Sequence, residues 1–174
     1  MFGALAAFSA LLLAPAPAAA ELRAQQPIDE VAADLAYGFC PLFLADQFPL
    51  TSPELAQRGF SATVQKSPHP RFGEMSIVEA KRPDGSLAFG GAPGKVCTIV
   101  VQGPKREAAL ARLRSSMALT GLAFAKTANL TPDAPGVAVE TYSAPVEKQR
   151  LVLQIIQAGG PAPVLAAQLF VLEK

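Results

Sequence analysis

Histidine occurs once in this 174-residue chain, at His69, cysteine twice, at Cys40 and Cys97, and tryptophan not at all. One imidazole and two thiols are too few ligands for a zinc site, so no metal is expected, and no cofactor signature is present. No Cys-x-x-Cys spacing occurs, which removes the local resolving thiol that dithiol redox chemistry needs. There is no Gly-x-Ser-x-Gly elbow, and no spacing selects Ser61, Ser67 or Ser76 as a nucleophile for His69. Charge is scarce as well. Asp, Glu, Lys and Arg make up 17% of the residues, and 15 basic against 14 acidic side chains leave a formal net charge of +1. No basic cluster exceeds two adjacent residues, so the electrostatic footprint that holds a phosphate backbone is missing and nucleic acid is not an expected partner.

The first twenty residues contain no charged side chain. Their apolar run from Ala4 to Leu13, the helix breakers Pro15 and Pro17 and the small residues Ala18 to Ala20 match the apolar core and cleavage site of a secretory signal. The usual basic start is missing, the first basic side chain being Arg23. A retained anchor is disfavoured because the apolar core is about ten residues long, against roughly twenty needed to span a bilayer. The expectation is a signal peptide at residues 1–20, cleaved near Ala20, and a single α+β domain at 21–174, periplasmic or secreted, with no membrane span in the mature form. About 154 residues can bury a real core. Sixteen prolines and abundant alanine fit a GC-rich bacterial source.

What the chain does contain points to structure more than to chemistry. Two cysteines in an exported chain predict one disulfide, Cys40–Cys97, the alternative being two buried thiols. Pro27 at a helix start, Asp29 and Glu30 in the first turn and the stripe Ile28, Val31, Ala32, Leu35 predict a helix that Gly38 and Pro41 interrupt, with a second short helical turn beyond. Ser52, Pro53 and Glu54 mark another short helix stopped by Gly59. Alternation then predicts strands at Ala62 to Val64, Met75 to Val78 and Leu87 to Phe89, the last two joined by a Pro83-Asp84-Gly85 turn. Lys95 to Val101, apolar on both sides, reads as a central strand. The clearest helix is Lys105 to Leu119, with Leu110, Leu113 and Met117 inward. Three strands follow, Val137 to Tyr142, Arg150 to Ile156 and Val164 to Leu172, as an antiparallel meander. The predicted fold is α+β: an antiparallel sheet packed by one long helix, with short N-terminal helices tied on by the disulfide. Strands on both sides of the Lys105 helix leave a duplication open.

No catalytic residue is assigned. His69 lies between two prolines in an extended loop. The four glycines between Gly85 and Gly94 lack the Gly-Lys-Ser/Thr ending of a phosphate loop and read as a bent hairpin, with Lys95 the charge partner of anything bound there. Glu79 shares strand parity with Met75 and Ile77 and points to a core or pocket, or pairs with Lys81 on an edge. Tyr37, Phe39 and Phe43 cluster at the helical joint, where aromatics fill core or line an apolar pocket. The candidate ligand-binding residues are therefore Tyr37, Phe39, Phe43, Glu79 and Lys95. The resulting expectation is a non-enzymatic exported domain that binds a protein or a small apolar ligand, or takes part in envelope interactions. The alternative is a small periplasmic hydrolase using His69 or a buried carboxylate.

Overall fold

A computed structural model describes residues 26–130 and 134–173, and the predicted leader lies outside them. The chain begins with one helical run made of α1 (Ile28–Asp34), a π turn (Leu35–Phe39) and α2 (Cys40–Leu44). Neither Gly38 nor Pro41 breaks this run, contrary to the sequence expectation. Pro41 has no N–H to return to the Tyr37 carbonyl, and the helix widens instead, Cys40 N–H reaching back five residues to the Leu35 carbonyl. Pro27 supplies no side-chain cap. The Ile28 N–H is taken by Asp84 Oδ2 at 2.9 Å, so the Pro83-Asp84 turn of a distant hairpin caps the first helix. Ile28, Val31, Ala32 and Leu35 are fully buried, as their spacing requires. A single turn, α3 (Pro53–Ala56), is capped by Ser52.

Eight strands form one sheet: β1 (Gln65–His69), β2 (Gly73–Arg82), β3 (Gly85–Ala92), β4 (Val96–Gln102), β5 (Ala125–Thr127), β6 (Val137–Val146), β7 (Gln149–Ala158) and β8 (Val164–Glu173). Their order is β1-β2-β3-β4-β8-β7-β6-β5, every neighbouring pair antiparallel. Two four-stranded meanders, each preceded by a helical segment, thus meet back to back at the β4–β8 pair. An axis between those strands exchanges the halves in topology, and the corresponding hairpins Arg82–Gly85 and Val146–Gln149 each turn through two residues. β4 is central and covered on both sides, as read from its composition.

The predicted 105–119 helix divides into α4 (Arg106–Ser116) and a 3-10 turn (Met117–Thr120) stopped by left-handed Gly121. It is not the sole helix on the sheet: α4 packs on α1, and both lie with α2 over the same sheet face. Ala109, Leu110, Leu113 and Met117 meet Leu35 and Ala36 from the first run and Cys97, Ile99, Val101, Leu165, Ala167 and Leu169 from the sheet in one core. Complete burial of each large side chain there contributes on the order of 2 kcal/mol. Cys40 and Cys97 are disulfide-bonded with Cα atoms 5.4 Å apart, tying the start of α2 to β4.

On the opposite face Met75, Ala92, Val96, Val152 and Phe170 form a smaller cluster, covered at one end by Phe72 from the β1–β2 turn. The Arg71 guanidinium lies 5.2 Å from the Phe72 ring centre and 5.3 Å from that of Phe170. Gly90 and Gly91 explain the glycine-rich stretch. At φ +149° and +142°, a Cβ would stand 2.1 Å from the Ser76 and Val96 carbonyl oxygens respectively, so only glycine lets β3 run this close to its neighbours.

Candidate functional site

The π turn has a geometric consequence beside it. Its widened backbone presents Tyr37, Gly38 and Phe39 to a cavity of about 640 Å³, closed across the way by Ser116, Leu119, Thr120, Leu122 and Phe124, and floored by Leu151 and Leu169 from the sheet. Single π turns recur at functional sites because the extra residue re-aims side chains without ending the helix. The lining is mostly apolar and the volume falls in the range of small-molecule pockets, roughly 300–1,000 Å³. Leu119 stands at the rim 84% exposed, which leaves a large apolar side chain in water at the mouth.

The walls are held by specific polar contacts. Tyr37 Oη donates to the Leu113 carbonyl at 2.5 Å, pinning the π turn to α4. Burial, and secondarily the neighbouring Tyr142, push the Tyr37 phenol above its ordinary pKa, so it stays a neutral donor. Phe39 is backed by Phe48, 4.7 Å between ring centres, and by Arg58, whose guanidinium carbon sits 4.7 Å from the Phe39 ring centre. Arg58 also donates to the Glu54 carbonyl at 3.1 Å and stands 3.8 Å from Asp34 Oδ2. Gln26 Nε2 donates to that same oxygen at 3.0 Å. Beside the cavity, Arg114 binds both carboxylate oxygens of Glu140 and Tyr142 Oη donates to Glu140 Oε2 at 2.7 Å. The Arg114 hydrogen bond, more than the others, holds the Glu140 carboxyl below the usual range.

Of the residues singled out from sequence, Tyr37 and Phe39 line the cavity, and the other three lie elsewhere. Phe43 is 2% exposed and packs edge-on against Phe89 at 5.7 Å, filling core beneath the disulfide. Glu79 sits on the sheet face turned away from the helices, opposite Ala88 in register. Its strand is interior, not an edge, and past the end of β1 the Ser61 N–H takes the Glu79 carbonyl at 2.8 Å. Lys95 lies in the β3–β4 turn and donates to the Phe72 carbonyl at 3.3 Å. His69 closes the β1–β2 turn: its Nδ1 accepts the Arg71 and Phe72 N–H groups at 3.2 and 3.3 Å, which places the proton on Nε2, and its ring stacks on Phe72. Among the described residues no three His, Cys, Asp or Glu side chains gather as a metal site would need, and no helix is long and apolar enough to cross a membrane.

Sequence reasoning missed Asp34, Gly38, Leu119, Phe124, Leu151 and Leu169 as cavity residues. Ala33 and Tyr37 are four apart on one helical flank, a usable signal. Leu119 and Phe124 gave none, because their partners come from the sheet about 30 to 50 residues later. No protein family matches the chain, and neither a curated protein nor a solved structure matches it.

Proposed function

We propose that this chain is an exported, non-enzymatic binding module of a bacterial periplasm, and that it holds a small apolar ligand between the π turn and the 116–124 segment. The observation that carries the reading is the mostly apolar 640 Å³ cavity, lined from the sheet by Leu151 and Leu169 and carrying an exposed leucine in its lining. Export is supported by the leader pattern at 1–20, and a Cys40–Cys97 disulfide fits an oxidising compartment. The sheet with its helical layer is the supporting frame, to which α4 adds Ser116 in the cavity lining and the Leu113 carbonyl that holds Tyr37. The hydrolase alternative draws no support from His69, whose Nδ1 is occupied by its own turn.

A Cβ at Gly38 meets no atom within 4 Å, so a larger side chain enters the cavity mouth without a backbone clash. Titration with the uncharged dye N-phenylnaphthylamine should give saturable fluorescence enhancement in the wild type. Gly38→Leu should weaken it at least roughly tenfold, the loss expected when a pocket contact is blocked, while the thermal midpoint holds or rises, as loss of a helical glycine implies. Equal binding by both proteins would remove the cavity from the account. Native mass spectrometry of protein from its own host reads the N-terminus directly, and an uncut leader there would end the export proposal.

A further inference from the structure

The cavity's charge lining, taken together with the apolar-ligand reading on which it rests, indicates what kind of head group the ligand carries. Asp34 is the one carboxylate among the lining residues, and no Lys, Arg or His lines the cavity. We infer that the ligand is an amphiphile with an apolar body and a protonated amine, the amine resting on Asp34. The geometry permits this. Gln26 and Arg58 both use Oδ2, which leaves Oδ1 without a partner among the described residues. The Asp34 side chain is 45% exposed, so it stands at the mouth where a head group would sit while its apolar body goes inward. Arg58 offsets part of the Asp34 charge through its 3.8 Å ion pair with Oδ2, but it does not stand between Oδ1 and the cavity. Its guanidinium lies against Phe39 and on the Glu54 carbonyl, outside the lining.

The same lining disfavours a carboxylate ligand. An anion brought to this mouth would lose hydration, find no cation among the described lining residues and approach the Asp34 carboxylate. A neutral alcohol gains only an ordinary hydrogen bond, whereas an ammonium gains a charge-assisted one.

The test compares dodecylamine, dodecanol and dodecanoate, each below its micellar concentration at neutral pH, as displacers of N-phenylnaphthylamine from the mature protein and from Asp34→Asn. The wild type should rank amine over alcohol over carboxylate, with the amine favoured over the alcohol roughly fivefold to tenfold, as expected for one partly exposed charge-assisted bond. In Asp34→Asn the amine-to-alcohol ratio should fall to about one, the value left when the charge term is removed. Because the ratio is taken within one protein, a change in folded fraction cancels. A carboxylate that displaces as well as the amine, or a ratio that survives Asp34→Asn, overturns the head-group inference alone. Failure of the dye and all three chains to bind overturns the cavity reading along with it.

Discussion

Single side chains in this molecule act mostly by joining elements that are distant in sequence. Glu140 shows the energetics. Its carboxylate on β6 is held by Arg114 from α4 and by Tyr142, and the Arg114 hydrogen bond leads in lowering its folded-state pKa. A carboxyl whose pKa is depressed by folding stabilises the native state above its unfolded value of about 4.3 and loses that contribution as pH falls through the folded value. Arg114 is 43% exposed, so solvent screening limits the contribution to about 1 kcal/mol or less. Glu140→Gln should therefore lower the urea midpoint at neutral pH and flatten the decline expected below about pH 4. Identical acid-side slopes for wild type and variant would show that this pair does not couple to folding. The inward stripe Leu110, Leu113 and Met117 leaves Arg114 on the outer side of its helix, where it is, but does not name its partner: a side chain's exposure is set by its own helix, its ion pair by the packing of another element.

Elements were legible in proportion to how much apolar surface they bury. The inward stripe of α1, the central position of β4 and the β6–β7–β8 meander follow from hydrophobic period, because each of these elements has at least one buried face that the period must match. β1 and β5 left no such trace. They are the sheet's two edges, their side chains almost all exposed, and hydrogen bonds to β2 and β6 position them with no apolar alternation to advertise it. β1 even contains Pro68, which an edge tolerates. The π turn was missed for another reason: Gly38 and Pro41 are helix breakers locally, yet the disulfide at Cys40 and the burial of Leu35 and Ala36 hold the run together. Gly38 is thus a helical glycine with open space around it. Gly38→Ala should raise stability by about 0.5–1 kcal/mol through reduced backbone entropy in the unfolded chain. A lower melting midpoint in calorimetry would mean that the π turn requires glycine.

The whole molecule depends on binding an N-terminal helical layer to a sheet whose halves are joined at β4 and β8. The Cys40–Cys97 bond crosses that boundary with a sequence separation of 57 residues, and closing a loop of this length removes denatured-state freedom. Replacing both cysteines by alanine should cost about 2–4 kcal/mol in urea unfolding. An unchanged midpoint would mean that apolar packing alone seats the helices. The likeness of the two meanders belongs to this level too, since no internal sequence repeat betrays it and only strand order and equal hairpin lengths do. Composition, apolar periodicity and the count of two cysteines were enough for the α+β class, the main buried faces and the sulfur pairing, because those follow from chain-local chemistry and from the need to bury apolar surface. The cavity required three dimensions. Its walls combine the N-terminal helical run, the end of α4, a 3-10 turn with the segment after it, and two strands, drawn from residues 33 to 169, and a void exists only where such separately determined surfaces fail to meet.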